Sequence, residues 1–191
     1  MAYLVMRRLR VVAGQIVGGT LPGLVYGGQI NSERSEGLVL FTLLIHSDNE
    51  DQRSLYMKQI EDAGKRVDES VQKYRGSIFE KEDWDLFNRL VATRKNCREI
   101  RLRIFALLEE NRRVDAQRMF ENELLPAYAD SRKAGEALFD YNVKQGHDRG
   151  IQIEVVCRRT QWIVAISSVA VFLGGFFTPF FAIRLPPRLW S

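Results

Sequence analysis

Apolar residues recur along this chain at alternating steps of three and four, with charged residues between them. Met57, Ile60, Gly64, Val67, Val71, Tyr74 and Ile78 are spaced 3-4-3-4-3-4. That spacing places all seven on one helix face, a seam for packing against other helices. Lys58, Glu61, Asp62, Lys65, Asp68, Glu69 and Gln72 take the opposite face. The pattern recurs in Leu86, Leu90, Thr93, Cys97, Ile100, Ile104 and Leu107. A further seam runs through Phe120, Leu124, Ala127, Ser131, Ala134, Leu138 and Tyr141. A weaker seam comes first. From Ile30 onward, Gly37, Leu38, Phe41, Leu44 and Ile45 share a face, with Glu33, Arg34 and Glu36 at its polar end.

The breaks between seams are short. Ser47-Asp48-Asn49 is made of residues whose side chains bond free backbone amides, so it reads as a turn and N-cap. Gly76-Ser77 weakens the second helix, and Glu80-Lys81-Glu82-Asp83 reads as a connection with Asp83 as the cap. The third helix ends near Glu109-Glu110-Asn111, and the fourth begins around Val114-Asp115. Pro126 lies inside the fourth seam, where the missing amide and the ring predict a local bend. The fold class is therefore all-α, an antiparallel up-down-up-down four-helix bundle, because connections this short join antiparallel neighbours. Leu90, Ile104, Leu124 and Leu138 are expected in its core.

The fourth helical stretch does not stop with its seam. Val114 to Asp148 is amphipathic, and Trp162 to Ile183 carries 22 residues without a charge. At about 1.5 Å per residue that run reaches roughly 33 Å, enough for a hydrocarbon core of about 30 Å. Arg158, Arg159 and Trp162 suit the headgroup boundary. The last bundle helix is thus predicted to continue into a transmembrane helix. At the other end, Arg7, Arg8 and Arg10 precede an uncharged run from Val11 to Ser32, which contains six glycines, Pro22 and no block of leucines. It reads either as a degenerate first span or as the membrane-proximal start of the first bundle helix. The predicted organisation is an N-terminal segment over 1–20, a bundle over 21–160, a transmembrane helix over 161–183 and a tail over 184–191.

Charge and chemistry narrow the function. The net charge is +4, but bases alternate with acids, as in Glu99-Ile100-Arg101-Leu102-Arg103, so a nucleic-acid partner is not expected. Cys97 and Cys157 are 60 residues apart and fit no metal-ligand spacing. His46 and His147 are the only histidines, and neither follows a Glu by three positions. No phosphate-binding glycine loop or nucleophile elbow appears. The chain reads as a non-enzyme with no catalytic residue, no metal and no cofactor. Candidate ligand-binding residues are Arg94 and Arg101 beside the third seam, Arg34 on the first helix, and Arg132 and Tyr141 on the fourth. A guanidinium at a bundle groove could hold a carboxylate through two parallel hydrogen bonds. The alternative is solvated arginines with packed stems.

Three stretches carry a family likeness. Leu21-Pro22 through Ile30-Asn31, Glu50-Asp51-Gln52-Arg53, and Phe120-Glu121-Asn122-Glu123-Leu124-Leu125-Pro126-Ala127-Tyr128 with Tyr141-Asn142 resemble the four-helix-bundle sensor domain of methyl-accepting chemotaxis receptors. The resemblance covers about residues 20 to 183. It implies a membrane-anchored sensory input domain that detects a small molecule and passes a helix shift across the membrane. It also implies a homodimer, a small ligand such as an organic acid or amino acid, and a bacterial inner membrane with the bundle in the periplasm. Ile183-Arg184-Leu185-Pro186 resembles the start of a HAMP linker. Without the output domain such receptors carry, the chain is expected to be a fragment, a gene remnant or a stand-alone tethered bundle. The rival readings are a structural membrane-tethered bundle with no small ligand, and an input domain for a kinase or cyclase.

Overall fold

The computed structural model describes the backbone of residues 2–184 and the side chains of residues 5–173. The expected tail, 184–191, lies outside the described side chains, as does the HAMP-like stretch. Among the described residues every element is helical: α1 (Ala2–Gln15), α2 (Leu21–His46), α3 (Glu50–Arg75), α4 (Lys81–Glu109), α5 (Arg113–Met119) and α6 (Leu125–Arg184). Two π turns, Ile16–Thr20 and Phe120–Leu124, join α1 to α2 and α5 to α6. The helix that carries the first seam, α2, begins at Leu21, upstream of the seam's first apolar residue, and is continuous with α1 through the π turn.

Each π turn ends two residues before a proline. The Leu21 amide donates to the Ile16 carbonyl and the Leu125 amide to the Phe120 carbonyl, five residues back in each case. Pro22 and Pro126 follow with no amide to give and a ring that would press on the carbonyl one turn earlier. The wider turn moves that carbonyl aside and lets the helix continue. The bend expected at Pro126 takes this form.

Asn49 caps α3, its side chain accepting from the Gln52 amide at 3.1 Å. Asn111 closes α4 with a left-handed φ of 60°, a conformation that asparagine tolerates. Asp83 is not a cap. The N-cap of α4 is Glu80, so Asp83 falls in the first helical turn, where a carboxylate suits the helix dipole. It is buried there and accepts from the Tyr74 hydroxyl at 2.7 Å.

Residues 13–147 form one compact unit, the bundle. Arg66 of α3 bonds Glu33 and Glu36 of α2 at 2.7 and 3.0 Å, and the Ser70 hydroxyl donates to Gln29, so α2 and α3 are antiparallel. Arg94 of α4 meets Asp68 of α3, while Arg34 of α2 meets Ser131 of α6. The four helical stretches run up-down-up-down. Two apolar cores fill them. One is built on Phe41, Leu44, Ile60, Ile104, Phe105, Phe120 and Leu124. Phe41 stacks on Phe105 at 5.4 Å and on Phe120 at 6.3 Å between ring centroids. The other holds Ile30, Val67, Val71, Tyr74, Phe87, Leu90, Ala134 and Leu138, with Tyr74 stacked on Phe87 at 5.7 Å. Leu90, Ile104, Leu124 and Leu138 are at most 1% exposed, as their heptad positions require.

The fourth seam ends one residue later than its spacing suggests. Asn142 is buried and Tyr141 only half so. Asn142 donates to the Tyr74 hydroxyl and to the Leu138 carbonyl at 2.9 Å, tying α3 to α6 within the second core. Gly23 makes room for it, since a Cβ at that position would run into the Asn142 amide.

The described residues of Met1–Val12 and Asp148–Ser191 form a second unit. Within it Arg7, Arg8, Val11 and Val12 face Ile151, Val155 and Val156 across a groove. Every side chain from Gln161 to Leu173 is exposed. Among the described residues one helix, Arg113–Leu173, is long and apolar enough to cross a membrane, with a mean hydropathy of 1.3 in its best window and none of that window buried.

Candidate functional site

The two cores do not meet. Between them lies a cavity of about 300 Å³, lined by Ile60 from one core and by Ile30, Val67 and Leu90 from the other. Its origin is visible in the seams. Gly37 of α2, Gly64 of α3, Cys97 of α4 and Ser131 of α6 all line it, one small residue from each of the four helices. Large residues fill the layers above and below.

Arginines approach the gap left by these small residues. Arg34, Arg94 and Arg101, singled out from the sequence, line the same cavity, with Lys95 and Arg98 at its exposed rim. Arg94 is held by Asp68 at 2.8 Å and donates to the Gly64 carbonyl at 3.3 Å. Arg34 donates to the Ser131 carbonyl at 2.9 Å. The Arg101 guanidinium packs against Gly64, where an added Cβ would sit 3.3 Å from both of its terminal nitrogens. Its Nε is buried and has no hydrogen-bond partner in the protein.

Burial lowers the pKa of Arg101, and repulsion from Arg98 and Arg94 adds to the effect while Tyr128 and Asp68 oppose it. Burial likewise lowers Arg34, with Glu136 opposing. Two neutral acids face these cations. The Cys97 thiol is pushed up to about 11 and the Tyr128 phenol to about 12, both mainly by burial, although the nearby arginines pull the other way. The site is thus a largely apolar chamber lined by guanidinium groups from α2 and α4 and by neutral donors. Such an arrangement is chemically suited to an anion whose remainder is apolar.

The other two sequence candidates lie elsewhere. Arg132 is exposed and pairs with Glu136 at 3.2 Å, one turn along the same helix. The Tyr141 hydroxyl donates to Glu80 at 2.8 Å, and Gln145 reaches the same carboxylate at 3.1 Å. Burial and that carboxylate raise the Tyr141 pKa. Sequence reasoning did not reach Tyr128 or the role of Cys97. A usable signal was present, however: every seam carries a small or polar member, and Gly37, Gly64, Cys97 and Ser131 fall at one level when the helices alternate in direction.

Among the described residues, no group of three His, Cys, Asp or Glu side chains is placed to hold a metal ion. Residues 21–156 match a protein family described as a four helix bundle sensory module for signal transduction. No curated protein and no solved structure is matched by the chain.

Proposed function

The chain belongs to this family of four-helix-bundle sensory modules, a signalling part rather than an enzyme, and from that premise we propose that it is a membrane-anchored input domain of the chemoreceptor type. It takes up a small molecule in the cavity between its two cores. The observation that carries this reading is the layer itself. Four helices each place a small residue at one level, and arginines reach the space those residues leave. A bundle built only for stability would fill that layer, because unfilled volume and buried unpaired charge both cost stability.

The output runs through α6. Tyr128 and Ser131 line the cavity on the helix that continues to Arg184. An occupant that tightens the layer moves this helix, and shifts of about 1–2 Å are the usual scale for helices that relay signals between packed states. The exposed apolar segment from Trp162 onward is covered by lipid and anchors the module in the bacterial inner membrane. The bundle works in the periplasm as a homodimer, as in the receptors it resembles.

The test uses the full chain in lipid nanodiscs, melted against a broad library of small metabolites. A compound at a hundred times its Kd should stabilise the protein by about 2.7 kcal/mol. Silence across the library would remove the sensory reading and leave a structural bundle. Orientation has its own assay, because Cys157 is exposed. In a Cys97→Ser background, an impermeant thiol reagent should label it in intact cells. Labelling only after lysis would place the bundle in the cytoplasm.

A further inference from the structure

The charges around the cavity are unequal in a way that selects the ligand. Arg34, Arg94, Lys95, Arg98 and Arg101 line it, against two acids, Glu33 and Asp68. Both acids are already committed, Glu33 to Arg66 at 2.7 Å and Asp68 to Arg94 at 2.8 Å. The cations are not all so engaged. Arg101 brings a buried Nε–H with no partner in the protein, and Arg34 uses one nitrogen on the Ser131 carbonyl. The apolar part of the lining includes Ile30, Ile60, Val67 and Leu90.

We propose that the cavity takes a monocarboxylate with an apolar body, gripped by Arg101 and Arg34 inside a single protomer, and rejects the corresponding α-amino acid. This rests on the sensory reading above. The carboxylate supplies the acceptor that Arg101 lacks and balances the excess of positive charge. The apolar body fills the layer between the cores. An α-ammonium group would enter beside five cations and find no uncommitted carboxylate, so its desolvation would go uncompensated. The volume of about 300 Å³ sets the size. At roughly 30 Å³ for each water-sized group, the ligand has on the order of ten non-hydrogen atoms.

Matched pairs test this on the full chain in nanodiscs, by calorimetry and thermal shift. 4-Methylpentanoate is compared with L-leucine, and 3-phenylpropanoate with L-phenylalanine. Each pair differs only by the ammonium group. 4-Methylpentan-1-ol removes the charge, and inorganic phosphate supplies charge without the apolar body. The two carboxylates should bind, one per protomer, and raise the melting temperature. Each amino acid, the alcohol and phosphate should bind at least about tenfold more weakly, the scale of one lost charge-assisted hydrogen bond. Arg101→Met should weaken the carboxylates by about 10–100-fold. Gly64→Ala is the second variant. It retains every charge and favours the helix, yet sets a methyl group against the guanidinium, so binding should fall while the fold persists.

Leucine binding as well as 4-methylpentanoate would overturn the proposal, as would full carboxylate affinity in Arg101→Met. A different class of compound whose binding depends on Arg101 would overturn the ligand class and leave the sensory reading standing. Silence from every compound, including the broad library, would overturn both.

Discussion

Replacing Arg101 with methionine is expected to make the protein more stable. The side chain is largely buried on α4, between the two cores. Among the described residues its guanidinium forms no ion pair and its Nε has no partner, and Arg98 and Arg94 repel it while Tyr128 and Asp68 attract it. Removing it orphans no acceptor, because no hydrogen bond from it to a protein group is formed at Nε and no carboxylate is paired to it. A buried donor left unsatisfied costs about 1–3 kcal/mol. Exchanging a buried charge for an apolar side chain of similar length is commonly neutral to stabilising. The methionine retains most of the aliphatic stem, so packing against Gly64 is largely kept. Together these give an expected gain of about 1–3 kcal/mol in the ligand-free protein. For a chain of this size each kcal/mol moves the melting temperature by about 2–4 °C. The assay is thermal melting of the wild type and the variant in the same detergent, without added organic acids. A loss of more than about 1 kcal/mol would show that Arg101 is a structural residue, and the reasoning that it is kept for a ligand would fail.

Five further outcomes follow from the packing and the charges. Truncating Leu90, Ile104, Leu124 or Leu138 to Ala should each cost about 2–5 kcal/mol in chemical denaturation, because all four are fully buried. Gly135→Ala should destabilise by about 1–3 kcal/mol despite the better helix propensity, since the new methyl would strike Asn31 and lie 2.8 Å from the Arg34 Nη1. The Cys97 thiol keeps its proton to about pH 11 in the folded protein, above the usual value of 9.0. The folded state therefore binds more protons than the unfolded one between those values. Stability should fall as pH rises from about 9 to 11, and fall less in Cys97→Ala. Iodoacetamide labelling of Cys97 in a Cys157→Ser background should accelerate up to about pH 11 for the same reason, and a rate that levels off near pH 9 would refute the burial argument. Finally, a chain ending at Arg159 should leave the membrane fraction unless the N-terminal helix also inserts, which carbonate extraction would reveal.

Much of the bundle could be read from spacing alone, because a 3-4 repeat of apolar residues admits one kind of partner, another helix. The turns at 47–49 and 109–111 were also legible, since Asn49 and Asn111 do what that residue type does at helix ends. Asp83 misled because it looks like a cap in sequence. Only the fold shows that Tyr74, nine residues earlier, turns it inward as a hydrogen-bond acceptor. Tyr141 seemed the inward residue because an aromatic at a seam position outweighs an amide. In the bundle the amide of Asn142 is worth more there, bonding Tyr74 across two helices. The prolines signalled a disturbance but not its form, since a π turn depends on the whole preceding turn. The arginines presented the hardest case. Arg94, Arg101 and Arg132 look alike in sequence, each one step from a seam position. What separates Arg101 from Arg132 is what each side chain meets: Gly64 on α3 lets the first lie inward, while Glu136 on its own helix holds the second at the surface.

Hydrogen exchange on the full chain in nanodiscs, with and without saturating 4-methylpentanoate, bears on whether the small-residue layer is where the module senses. Protection should rise together around Gly37, Gly64, Cys97 and Ser131, on all four helices at one level, and extend along α6 beyond His147 toward the membrane. In Arg101→Met the same ligand should change nothing. A response confined to the exposed helix faces, or an equal response in the variant, would mean that the cavity between the two cores is not the sensory site.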